Sequence, residues 1–99
     1  MAKLKPIHPG EILREEFMLP FGLNPNKMAL ALRVAAPTVY EIVNEERGIS
    51  PEMALRLGRF FSVTAEFWMN LQSHYDLSVS RQKAEEKIVK DIHPLARTA

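Results

Sequence analysis

The sequence contains no cysteine. Disulfides, thiolate zinc sites and thiol nucleophiles are therefore excluded together, and a reducing compartment is compatible with the chain. No apolar run approaches the ~20 residues needed to cross a bilayer, and residues 1–9 lack the apolar core of a signal peptide. A soluble, cytoplasmic protein with no membrane contact is expected. Charge of one sign is missing too. The net charge is +1, with six basic against six acidic residues in positions 1–50 and seven against six in the remainder. Bulk charge gives no support for binding a polyanion, so any such contact has to rest on local placement of a few cations.

The usual signs of catalysis are likewise lacking. There is no glycine-rich phosphate loop and no serine in a nucleophile motif. His8, His74 and His93 stand far apart with no second ligand at metal spacing, and a lone histidine is more often a cap or a surface residue than a ligand. Glu15-Glu16 and Glu45-Glu46 are paired carboxylates without an accompanying base, as on a solvated helix face. No catalytic residue, metal or cofactor is expected, and the chain does not read as an enzyme.

What is present is an ordinary globular composition, 46% hydrophobic and 25% charged over 99 residues, enough for one modest core. No segment alternates polar and apolar as a half-buried strand would, and there is no internal repeat. The chain reads as all-α. Pro9 fits a first helical turn, and Ile12, Leu13, Phe17 and Met18 follow at helical spacing up to a break at residues 19–22. Asn24-Pro25 is a cap followed by a first-turn proline, opening a second helix to about Leu32 with Met28, Ala29 and Leu32 inward. A third helix begins near Ala36. Ser50-Pro51-Glu52 repeats the cap, proline and acidic first turn before Met53, Ala54, Leu57 and Phe61. Thr64 caps a fifth helix carrying Phe67, Trp68, Leu71 and Tyr75. Five helices of roughly 8 to 14 residues result. The aromatic cluster Trp68, Phe60, Phe61 and Phe67 reads as core rather than a ligand cage. Beyond Leu77 the apolar density drops, and residues 80–90 predict a short sixth helix with a thin Ala84, Ile88, Ile92 stripe that docks on the domain, meets a partner chain or frays. The expected division is a tail over 1–7, a domain over 8–77 and a helical extension over 78–99.

Residues 25–43 carry the most informative spacing. A helix-turn-helix needs a small residue where its helices cross, an apolar turn residue and an inward pair on the second helix. Ala29, Val34, Val39 and Ile42 occupy those positions. Projected at 100° per residue, the third helix turns Val39, Ile42 and Val43 inward, with Pro37, Glu41 and Asn44 opposite and Thr38 and Tyr40 on the flanks. Pro37, Thr38, Tyr40 and Glu41 form the candidate base-reading face: Thr38 can touch a thymine methyl, Glu41 can accept from cytosine N4, and Tyr40 can reach a phosphate or a base edge. Lys27, Arg33, Asn44 and Arg47 bracket that face as candidate phosphate contacts. The bland alternatives are a helical hairpin packed for its core alone and, for each cation, a solvated surface charge.

The sequence resembles the HigA-type (VapI-like) antitoxins within the Cro/CI helix-turn-helix regulators, over residues 8–77. The resemblance is carried by His8-Pro9-Gly10-Glu11-Ile12-Leu13, by residues 29–44, by Ile49-Ser50-Pro51-Glu52-Met53-Ala54 with Arg56-Leu57, and by Glu66-Phe67-Trp68-Met69-Asn70-Leu71-Gln72 leading to Tyr75-Asp76-Leu77. It implies a five-helix lambda repressor-like domain and a homodimer on a palindromic operator of double-stranded DNA at its own promoter. It also implies pairing with a small HigB-type mRNA-cleaving toxin. Stand-alone regulation without a toxin, or a protein-interaction module with vestigial DNA binding, are the alternatives. Three positions depart from the family pattern: Pro25 where a phosphate-binding Gln is common, Arg33 where Gly usually makes the turn, and Ala35-Ala36-Pro37 where small polar residues open the second helix of the motif. The apolar opening predicts few direct base contacts, supplemented by DNA shape.

Overall fold

The computed structural model describes residues 5–96, and these contain helices and no strand. Helix α1 runs as an α-helix over Pro9–Ile12 and widens into π geometry over Leu13–Met18, where the N–H of Leu19 donates to the carbonyl of Arg14 at 3.1 Å. That wide turn places Leu13 and Met18, five residues apart, both in the core. α2 spans Pro25–Leu32, α3 Ala36–Val43, α4 Pro51–Phe61 and α5 Ala65–Ser80. The expected caps form. Asn24 accepts from the Lys27 N–H at 2.8 Å, Ser50 from Met53 at 3.2 Å and Thr64 from Phe67 at 3.1 Å. His8 caps α1 by accepting the Gly10 N–H on Nδ1 at 2.8 Å.

The fifth helix does not end near Leu77, and the sixth is its continuation. α5 passes through a π turn over Arg81–Glu85 into α6, Glu86–Asp91, with helical backbone at Ser80, Arg81, Glu85 and Glu86. Falling apolar density marks the end of a core-facing stripe but not the end of a helix. No proline, glycine or left-handed residue intervenes to stop it. The i,i+4 pairs Arg81–Glu85 and Lys87–Asp91 support the solvated stretch instead. Ile88, Val89 and Ile92 remain exposed, so the stripe does not dock on the domain. The result is elongated, 55 × 31 × 22 Å, with a radius of gyration of 17.2 Å against about 13 Å for a compact chain of this length.

α4 packs on α5 and α2 on α3, while α1 bridges α3 and α5. The core they enclose holds Leu13, Met28, Val39, Ile42, Leu57 and Trp68, all essentially inaccessible. Phe17 stands at the centre of an aromatic shell, with ring centroids 4.8 Å from Trp68, 4.9 Å from Phe61 and 5.8 Å from Phe67. Trp68 is core as expected and Phe61 is half-buried. Phe60 and Phe67 sit on the rim at 42% and 37% exposure, a correction to their reading as core: each directly precedes an inward residue, Phe61 or Trp68, and one helical step of 100° turns it aside.

Two features of α1 set how it meets α3. A β-carbon at Gly10 would fall 1.8 Å from the carbonyl oxygen of Ile42, so only glycine permits this approach. His8 is buried beside Tyr75, with ring centroids 4.7 Å apart. Burial lowers its pKa from the ordinary 6.5, against smaller upward pulls from Glu45 and Asp76. Gly10→Ala is expected to destabilise the fold by about 3 kcal/mol, because backbone has to move, and thermal unfolding reads this directly. His8 also makes stability pH-dependent. The unfolded histidine takes a proton below about pH 6.5 that the folded one resists. Its contribution is therefore complete above that pH and is lost as pH falls, at up to about 1.4 kcal/mol per pH unit. His8→Asn, which keeps a capping oxygen but does not titrate, is expected to flatten the unfolding midpoint between mildly acidic and neutral pH; an unchanged slope would contradict the assignment.

Candidate nucleic-acid interface

The helix-turn-helix is built at backbone level by two identical helix closures. Arg33, with φ 60°, takes the left-handed position after α2, and the N–H groups of Arg33 and Val34 return to the carbonyls of Leu30 and Ala29 at 3.3 and 3.0 Å. Glu45, with φ 63°, does the same after α3, with Glu45 and Glu46 donating to Ile42 and Glu41 at 3.0 and 2.8 Å. These are Schellman closures without glycine, each holding a side chain where a β-carbon costs about 1 kcal/mol. Ala29 is buried at the α2–α3 crossing, Val39 and Ile42 face the core, and Val34 is half-buried in the turn. All four scaffold positions stand where their spacing predicts.

On the outer side of α3, Pro37 and Tyr40 are exposed, and Thr38 and Glu41 are half-buried. Asn44 is exposed at the end of α3, its N–H donating to the Tyr40 carbonyl at 2.9 Å. Lys27 projects from the first turn of α2, Arg33 from the turn and Arg47 from the loop after α3, all exposed. Among the described residues one side-chain pair joins members of this set. Arg47 Nη2 lies 2.8 Å from Glu41 Oε1, so the candidate base reader and a candidate phosphate contact are paired with each other.

Three positioning residues escape the sequence reading. Arg14 of α1 donates to the carbonyl of Val43 at the end of α3 and pairs with Glu45 at 3.6 Å. Arg56 of α4 donates to the carbonyl of Leu32 at 2.8 Å, reaches that of Arg33 at 3.5 Å, and pairs with Glu52 at 3.7 Å. Each guanidinium thus satisfies orphan carbonyls and sits at the negative end of a motif helix. Gln72 of α5 accepts the Ile49 N–H at 2.6 Å and donates to Asp76 at 2.9 Å, closing the loop that carries Arg47. Its type and place in the Glu66-to-Gln72 block were the available signal; the backbone partners were not visible. Elsewhere, a shallow groove of about 350 Å³ is lined only by Phe17, Phe21, Leu23, Phe60 and Phe61, which supply no acid, base or nucleophile.

The geometry is that of a helix-turn-helix whose two helix ends are held from α1 and α4, and known proteins share it. The chain is 45% identical to virulence-associated protein I of Dichelobacter nodosus over 94% of its length and 84% of that protein's. It is 33% identical to antitoxin HigA-1 of Vibrio cholerae, covering 95% of the chain and 88% of the relative. Among solved structures it is similar to the antitoxin HigA of Pseudomonas aeruginosa with the higBA promoter, at 54% identity and a TM-score of 0.90 over 92% of this chain and 99% of that one. The chain belongs to the HigA-type antitoxins. A second structure, antitoxin GraA in complex with its operator, gives 43% identity and a TM-score of 0.89 over 98% of both chains. No protein-family model matches the sequence. As a HigA-type helix-turn-helix antitoxin the chain is a DNA-binding regulator, and no helix among its described residues is long and apolar enough to cross a membrane.

Arg33 is where this HigA-type chain departs most from a plain turn. Arg33→Gly is expected to raise stability by roughly 1 kcal/mol, an increase of about 4–8 °C in unfolding midpoint for a domain of this size. If the side chain touches phosphate, the same variant flattens the salt dependence of DNA binding by nearly one unit of log–log slope. A drop in midpoint would show that the left-handed turn is not strained.

Proposed function

We infer that this chain acts as a homodimer, seating α3 in the major groove at each half of a twofold operator upstream of its own gene, and that it neutralises a HigB-type mRNA-cleaving toxin. One observation carries the reading: an exposed α3 face, set on a buried Ala29, Val39, Ile42 scaffold, in a chain superimposing at a TM-score of 0.90 on a HigA recorded with its promoter. Pro37, Thr38, Tyr40 and Glu41 serve as the base-reading set. Lys27, Arg33, Asn44 and Arg47 hold the phosphates on either side. The chain performs no catalytic step in this reading, the nuclease activity belonging to the partner, and it works in the cytoplasm.

The reading face is sparse, with Ala35 and Ala36 contributing only methyl groups at its start. Thr38 and Tyr40 therefore supply most direct contact, and sequence-dependent groove shape supplies the rest. The exposed Ile88 and Ile92 on the helical arm leave apolar surface for a protein partner, as an antitoxin requires.

A gel shift or anisotropy titration against the DNA preceding the gene is expected to give saturable, salt-sensitive binding to a site whose half-sites lie about one helical turn apart. Lys27→Ala should weaken binding to every sequence and reduce the salt slope by about 1, whereas Thr38→Ala should relax preference at one base pair by about 1–3 kcal/mol. If both variants bind as the wild type does, the assigned face is wrong.

A further inference from the structure

Glu41 and Arg47 are the two members of the proposed interface whose side chains are paired with each other. The backbone enforces their proximity. The reversal at Glu45 returns the chain across the end of α3, the Glu46 N–H is bonded to the carbonyl of Glu41 itself, and Arg47 follows immediately. Gln72 then holds the next turn of the loop through the Ile49 N–H. Arg47 cannot drift far from Glu41, and its Nη2 closes on Glu41 Oε1 at 2.8 Å.

To a guanidinium fork, a carboxylate and a phosphate present the same pair of anionic acceptor oxygens. Glu41 therefore occupies Arg47 in the way a DNA strand would. Both side chains are about half exposed, at 40% and 49%. Such a pair holds its closed state by no more than about fivefold, so DNA can open it. Opening has a consequence on the Glu41 side: the freed carboxylate faces a polyanion unless a base donor meets it. The amino groups of cytosine (N4) and adenine (N6) are the major-groove donors, and cytosine N4 is the usual partner of a carboxylate.

We propose that Glu41 is a specificity-determining residue that acts by withholding Arg47 from non-cognate DNA. On a cognate half-site Glu41 exchanges Arg47 for a base donor and Arg47 moves to a phosphate. On other sequences Glu41 finds no donor and retains the arginine, so the complex lacks one phosphate contact. This inference rests on the DNA-reading role assigned to α3, and it makes the two residues one coupled element rather than a reader and a clamp acting separately.

The test uses the full chain and its Glu41→Gln, Arg47→Gln and double variants. Each is titrated by anisotropy against a duplex from the region preceding the gene and against a scrambled duplex of equal composition, over a KCl series. Circular dichroism melts confirm that these exposed changes leave the fold intact. Glu41→Gln is expected to tighten binding to the scrambled duplex by up to about fivefold and to steepen its salt slope by about 0.9. The preference for the upstream duplex shrinks accordingly. Arg47→Gln should weaken the upstream complex and flatten its slope by the same amount, while leaving the scrambled complex nearly unchanged. In the Arg47→Gln background, Glu41→Gln should no longer alter the slope. An unaltered scrambled slope in Glu41→Gln, or equal steepening with and without Arg47, overturns the latch while leaving the DNA-reading role standing. A wild type with no preference for the upstream duplex removes that role and the latch with it.

Discussion

Helix α3 stands where it does because the backbone of α1 touches its end. Gly10 lies so close to the Ile42 carbonyl that no β-carbon fits between them. That single approach fixes the distance between the first helix and the last turn of α3. A close backbone contact of this kind is stiff, since neither partner has a rotamer with which to yield. The orientation of the outer face of α3 is thereby tied to the scaffold and not left to the short turn before it.

The charges around that contact make the same end of α3 a chemically closed structure. Arg14 takes the Val43 carbonyl and pairs with Glu45, and the left-handed Glu45 turns the chain back toward Arg47. Arg56 does the equivalent for α2 at Leu32. Helix ends otherwise fray, because their last carbonyls have no partner within the helix. Here the two motif helices, only eight residues each, are held at their C-terminal ends by cations from helices outside the motif. Helices this short are marginal alone. Their stability is tertiary, and the exposed face of α3 inherits it.

The fold was largely legible because its signals are local. Asn24, Ser50 and Thr64 each cap the helix that follows, and Ala29, Val39 and Ile42 turn inward as their spacing requires. Arg33 adopts the left-handed conformation that its place in the turn demanded. What escaped was non-local or depended on a missing signal. Arg14, Arg56 and Gln72 bind backbone groups 29, 24 and 23 residues away, and a backbone group has no letter in the sequence. The run from α5 into α6 escaped for the opposite reason. A drop in hydrophobic content resembles a boundary, yet helix continuation depends on the absence of stop signals, which is harder to notice than their presence. The candidate interface was legible as a set of residues but not as a set of contacts. Nothing in the spacing of Glu41 and Arg47 distinguished two separate DNA contacts from a pair bonded to each other.

The balanced charge that lends no support to a nucleic-acid role acquires a different meaning beside the proposed interface. Non-specific binding to DNA is almost wholly electrostatic and grows with each phosphate neutralised. A chain of net charge +1, with only Lys27, Arg33 and Arg47 bordering α3 and the last of these held by a carboxylate, is expected to have little of that background affinity and a lower absolute affinity with it. Selectivity, however, is the ratio of specific to non-specific binding, weighted by the great excess of non-cognate sites. On the proposed reading, Thr38 and Tyr40 add only a few kcal/mol of discrimination, and the remaining route to selectivity is to keep the denominator small. Near-neutrality is then the electrostatic counterpart of a sparse outer face on α3, and adding surface lysines to strengthen binding would erode selectivity.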